Sequence, residues 1–174
     1  MNRVTTACIL ELTNALSALA GNMQALIITG NQKFFSAGAD LHEVAALNAT
    51  SGFEFSQMGQ RLTNSIESFS APVYAAISGY CMGGGLDLAL ACHRRIAAPN
   101  AILGHRGAAL GLITGWGGTH RLPRLVGKGA AIQMFVAAET MTADHALQIG
   151  LINALADDPV QCCVNELAAL ITSH

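Results

Sequence analysis

Two places in the chain set small residues where a strand gives way to a helix, an arrangement suited to holding negative charge on an oxygen. The first spans 25–40: a β-like run over 25–29, a turn-rich stretch over 34–40, and the small residues Ser36, Ala37, Gly38 and Ala39 ahead of a helix capped by Asp40. The second spans 72–92: a strand over 72–78, then Gly79, then Gly83, Gly84 and Gly85 opening an apolar helix over 86–92. A helix start leaves backbone N–H groups without partners, small residues let a ligand come close to them, and the helix dipole favours negative charge there. If the two junctions face each other, one N–H from each converges on a single oxygen and forms an oxyanion hole. Losing one such donor typically costs about 3 kcal/mol of transition-state stabilisation. Asp87 follows Gly84 by three positions, so the two share a helix face. A carboxylate beside an enolate-stabilising site is a natural proton shuttle for chemistry at a carbon acid. Plainer readings stand beside these. The glycines suit a tight turn with close helix–strand packing, Asp40 suits a simple cap, and Asp87 suits a salt-bridged helix residue.

The elements around these junctions read as alternating strands and helices. Ile9, Leu12, Leu16 and Leu19 recur at helical spacing within 5–20, and a helix is expected over 51–69 beginning at Ser51. Residues 95–98 and 101–103 are short strand candidates flanking Pro99-Asn100. Helices follow over 117–125, 128–138 and 142–149, with Gly127 and Gly150 as stops, then a strand over 151–155 and a helix over 158–171. This order predicts an α/β fold with a largely parallel sheet.

Composition narrows the classes. The 174 residues suit one domain; apolar residues make up 52% and charged residues 11%, and so few charges point to surface covered in an oligomer. A formal charge of −2 without a basic block argues against nucleic acid and anionic membrane as partners. Five cysteines with no CxxC pair read as free thiols in a reducing compartment. No apolar run reaches the roughly 18 residues needed to span a bilayer, and the N-terminus lacks a signal-peptide layout, so a cytoplasmic location is expected. The six histidines form no HExxH and no zinc spacing, and the glycines over 111–118 match neither a P-loop nor GxGxxG after a strand.

The stretches ALIITGNQKFFSAGADL (25–41), PVYAAISGYCMGGGLDLALACHRRIAA (72–98), LGLITGWGGTHRLPRLVG (110–127) and MTADHALQIGLINAL (141–155) resemble the crotonase (enoyl-CoA hydratase/isomerase) superfamily, in family order. The resemblance implies a crotonase-like spiral of ββα turns, a single domain over 1–174 truncated at both ends relative to the family. It implies that Ala39 and Gly84 supply the oxyanion-hole amides, that Asp87 is the general acid/base, and that Ala37, Asp40, Leu41 and Gly83 line the site. It also implies an acyl-CoA substrate, with coenzyme A arriving as part of it and no separate cofactor, and a homotrimer or hexamer. Trp116 is either a packing residue or a wall of the acyl pocket, and Met58 either lines that pocket or belongs to a core stripe.

The chain departs from the family pattern where hydration needs its carboxylates. Enoyl-CoA hydratases place glutamates at two positions, and here these hold Asp87, one methylene shorter, and Gly107, which transfers no proton. Dihydroxynaphthoyl-CoA synthases in the same superfamily, which this chain resembles locally, also carry glycine there and use a bound bicarbonate in place of the carboxylate. His105 or Arg106 could serve instead, or be plain loop residues. An enolate-stabilising enzyme of the hydratase/isomerase type is therefore expected, with a single-base reaction such as isomerisation easier to defend than hydration. The alternative is a non-catalytic acyl-CoA-binding or assembly subunit of the same fold.

Overall fold

A computed structural model describes residues 1–172. Its framework is a four-stranded parallel sheet in the order β10-β7-β5-β2, built from β2 (Leu26–Thr29), β5 (Val73–Ile77), β7 (Arg94–Ala97) and β10 (Ala154–Leu155). Every residue of β5 is buried, as expected of a central strand covered on both faces. Its side chains alternate: Val73, Ala75 and Ile77 enter the main core, while Tyr74 and Ala76 enter a smaller cluster with Cys163 and Leu167 of the last helix, α7 (Pro159–Thr172). A second sheet runs β3 (Phe34–Ser36), β6 (Tyr80–Met82), β8 (Ile102–Gly104) and β9 (Thr140–Thr142), with only β9 antiparallel. A short parallel pair joins β1 (Arg3–Val4) to β4 (Gly38–Ala39).

Three helices make the core around the strands. In α1 (Thr6–Leu19), Thr5 caps the N-terminus by accepting from the Cys8 N–H, and Ile9 and Leu16 point inward. In α3 (Ala49–Glu67), Asn48 and Ser51 form a reciprocal capping box, and Phe55, Gly59, Leu62, Thr63 and Ile66 make the buried stripe. The central helix α4 (Gly84–Ala91) is buried from Gly85 to Ala91, consistent with its lack of any polar face except Asp87. Its C-terminal end is held by Arg95, whose guanidinium donates to the carbonyls of Cys92 (2.6 Å), Ala89 (3.4 Å) and Leu151 (2.9 Å). The remaining helices are α2 (Leu41–Ala45), α5 (Gly118–Ala137) and α6 (Ala143–Gln148), with a 3-10 turn over Gly107–Leu110.

Most elements lie where the sequence places them, and the differences have physical causes. The expected stop at Gly127 is a kink with φ of 80°, and the helices on either side continue as one element, α5. The turn-rich 34–40 stretch holds two short strands, β3 and β4, and the segment before Gly83 holds β6. All three depend on partners distant in sequence, which supply the ladder bonds that a glycine-rich run does not advertise. The strand expected over 151–155 shrinks to Ala154–Leu155, because the Leu151 N–H turns back to the Ala146 carbonyl at 2.8 Å. The five cysteines are all free thiols.

Candidate functional site

The first junction is shaped by which amides are already used. The Ala37 N–H donates to the Met1 carbonyl (3.2 Å) and the Asp40 N–H to the Val4 carbonyl (3.1 Å). Ala39, between them, is the ladder partner of Val4 in β1. Asp40 itself caps α2: its carboxylate accepts from the His42 and Glu43 N–H groups and pairs with Arg3 at 3.0 Å. The Arg3 bond holds the Asp40 carboxyl below the usual carboxylate range. Leu41 opens α2 and is exposed.

The second junction meets the first there. The Gly83 N–H is taken by the Gly104 carbonyl (2.9 Å), and the Gly83 carbonyl accepts the Asp87 N–H (3.0 Å). The Gly84 N–H, the first of the helix, has no acceptor among the described residues. Gly38 adopts φ of 89°, and a Cβ on it would lie 2.7 Å from the Met82 carbonyl oxygen and 3.2 Å from the Gly84 nitrogen. Only glycine allows that approach, and it brings β4 against the start of α4. Ala39 and Gly84 are both half-buried where β4 meets the start of α4.

Asp87 lies one turn further in and is 0% exposed. Its carboxylate accepts a very short bond from the Thr114 hydroxyl and a second from the Trp116 N–H, beside the first turn of α5. Burial pushes its pKa up from 3.8 to about 7; the Thr114 bond, the Arg121 charge and the Trp116 N–H hold it down in part. His105 is equally enclosed, with Nε2 3.4 Å from Asp87 Oδ1, and burial lowers its pKa to about 4. The alignment is too poor for a hydrogen bond, and both atoms lack a partner. With His105 neutral and Asp87 close to half protonated at pH 7, this is a close approach of two titratable groups rather than an ion pair.

The loop over 114–118 carries these contacts and is braced from α3. Thr63 Oγ1 donates to the Trp116 carbonyl at 2.8 Å, Arg121 donates to the same carbonyl at 3.3 Å, and Gln60 donates to the Gly115 carbonyl at 2.8 Å. Arg121 is fixed by Glu67 (2.6 Å) and Asn64 (2.7 Å). Trp116 is buried against Phe55, with ring centroids 5.3 Å apart, and Met58 packs beside the main core. Gly107 opens the 3-10 turn, and a Cβ there would meet the Leu112 carbonyl oxygen at 2.7 Å. Arg106 lines a surface cavity of about 440 Å³ together with Glu139 and Thr140. Among the described residues no cluster of His, Cys, Asp or Glu could hold a metal ion, and no helix is long and apolar enough to cross a membrane. Thr114 and Arg121 escaped the sequence reading because both act across more than 25 positions, and the conspicuous Trp between two glycines was the only signal near them.

Residues 1–172 match the enoyl-CoA hydratase/isomerase family. The chain belongs to that family. Among its relatives, a crotonyl-CoA hydratase of Syntrophomonas wolfei is 43% identical over 156 residues, 88% of this chain and 60% of the relative. A short-chain-enoyl-CoA hydratase of Clostridium acetobutylicum is 40% identical over 86% of this chain and 58% of its own length. Of solved structures, Pseudomonas aeruginosa DspI superposes with a TM-score of 0.91 at 35% identity, over 95% of this chain and 65% of that one. A Bacillus anthracis enoyl-CoA hydratase superposes with a TM-score of 0.88 at 36% identity, over 97% of this chain and 67% of that one. This member of the enoyl-CoA hydratase/isomerase family thus has the crotonase fold and spans about three fifths of the length of the curated relatives it matches.

Proposed function

We propose that this family member binds an acyl-CoA thioester with its carbonyl oxygen between the N–H groups of Ala39 and Gly84, and that it catalyses an enoyl-CoA hydratase/isomerase-type reaction through the resulting enolate. What supports this is the close approach of β4 to the start of α4 through Gly38, with the Gly84 N–H lacking an acceptor among the described residues while the amides of Ala37, Asp40 and Gly83 are bonded elsewhere. Two donors fixed before the reaction stabilise charge as it develops, without reorganisation. Ala37, Leu41 and Gly83 frame the approach to these amides. Coenzyme A comes as part of the substrate, and no further cofactor is needed.

Asp87 moves the proton in this reading. Its pKa of about 7 suits a group that both takes and returns a proton near neutrality. In this reading position 107, a glycine whose backbone packs against Leu112, supplies no second carboxylate. A single acid/base favours moving a proton between carbons over adding water to the double bond. Exposed apolar residues on α5 (Ile132, Val136) and on the 110–113 loop support burial of this face against another copy; the assembly proposed is of three or six copies, in the cytoplasm.

The decisive comparison is Asp87→Asn against wild type, with turnover of an enoyl-CoA and binding of a saturated acyl-CoA measured on both. The proposal expects turnover to fall by at least about 100-fold with binding retained. Unchanged turnover removes Asp87 from the mechanism. The complete burial of Asp87 also favours a second reading, a subunit that binds acyl-CoA without turning it over. Wild-type binding without turnover would select it.

A further inference from the structure

We propose that Trp116 fills the slot behind Gly84 and so restricts this site to short acyl chains. The inference rests on the thioester carbonyl lying at Gly84 and adds what the rest of the acyl group meets. A Cβ on Gly84 would lie 2.3 Å from Trp116 Cζ3 and 2.6 Å from Cε3. A Cβ on Gly59, across the slot on α3, would lie 2.1 Å from Cδ1 of the same indole. The ring is thus sandwiched between two helices at the positions where each lacks a side chain, with Phe55 closing one side at a 57° tilt.

One of those two glycines carries the free amide. An alkyl chain leaving a carbonyl held at Gly84 and turning into the protein meets the indole at once. Trp116 is only 3% exposed, so the slot is filled rather than lined. Neither the 440 Å³ cavity beside Arg106 nor a 140 Å³ apolar cavity between α1, β2 and α3 reaches Gly84 or Trp116. The indole does not swing aside freely, because the Trp116 backbone carbonyl is held by Thr63 and Arg121 and the ring is packed between the Gly59 and Gly84 backbones and Phe55. A long chain has to run outward over the half-buried surface of Ala39 and Gly84, where its methylenes stay in water and contribute no affinity.

The test is calorimetric binding of acetyl-, butyryl-, hexanoyl-, octanoyl- and decanoyl-CoA, and of coenzyme A itself, to the full chain as wild type, Trp116→Ala and Trp116→Phe. Wild-type affinity is expected to stop improving after the first few carbons. Trp116→Ala opens the slot, so affinity keeps rising into the longer chains, by about fourfold per buried methylene. Trp116→Phe frees less space and moves the limit by less, and it serves as the probe if the alanine variant melts without cooperativity. Free coenzyme A should bind all three alike. The same length profile in the folded variants as in wild type overturns the proposal while leaving the thioester site standing. Failure of every acyl-CoA to bind any folded form overturns the site and the proposal together.

Discussion

Replacing Asp87 with asparagine should change how stability depends on pH, by an amount the burial of this carboxyl sets. In the folded protein Asp87 titrates near pH 7, against 3.8 for an ordinary aspartate. Between those values the folded chain keeps a proton that the unfolded chain has released, so stability falls as pH rises through the window and is level above it. At about 1.4 kcal/mol per pH unit the loss is about 4 kcal/mol. His105 works in the opposite direction. Its pKa is about 4 when folded and 6.5 when free, so over that range the unfolded chain holds the extra proton and stability rises with pH, by about 3 kcal/mol. The two slopes largely cancel in the wild type. Asp87→Asn removes one of them and leaves stability climbing between pH 4 and 6.5. Urea unfolding at fixed protein concentration, run on both proteins from pH 4 to 8, reads this directly. The variant's advantage over wild type should grow by about 4 kcal/mol between pH 4 and 7 and then level off. A difference that stays constant across the range would refute the enclosed, proton-holding Asp87.

Two further substitutions probe the glycines of the site. Gly84→Ala drives a methyl into the Trp116 ring, and such overpacking should cost about 1–3 kcal/mol in urea unfolding and weaken acyl-CoA binding as the amide is displaced. Gly107→Glu should not supply the second carboxylate, since its Cβ meets the Leu112 carbonyl; a hydration assay on crotonyl-CoA should show no gain over wild type, and a gain would mean that the 107–112 turn repacks readily.

Much of this site is readable from residue order alone, for identifiable reasons. The cap at Asp40, the glycines opening α4 and the helical placement of Asp87 behind Gly84 are local features, set by neighbours a few positions away. The facing of the two junctions follows from the family resemblance and is realised through Gly38, whose missing side chain lets the Gly84 amide approach. What stayed hidden depends on distant partners. Asp87 looks like an ordinary helix residue until Thr114, 27 positions on, and the start of α5 enclose it. Arg121 and Glu67, 54 positions apart, set the height of the Trp116 loop, and no periodicity signals such a pair. The short strands β3, β4 and β6 were missed for the same reason, since two or three residues among glycines become strands only when a ladder reaches them.

The central claim is that two main-chain donors polarise a thioester carbonyl. Isotope-edited infrared spectroscopy of butyryl-CoA labelled with carbon-13 at its carbonyl reads that bond alone. Bound to this protein, its stretch should move to lower frequency than in water, and it should move back toward the solution value when Gly84 is changed to alanine. A bound thioester whose carbonyl stretch matches that in water would contradict the account.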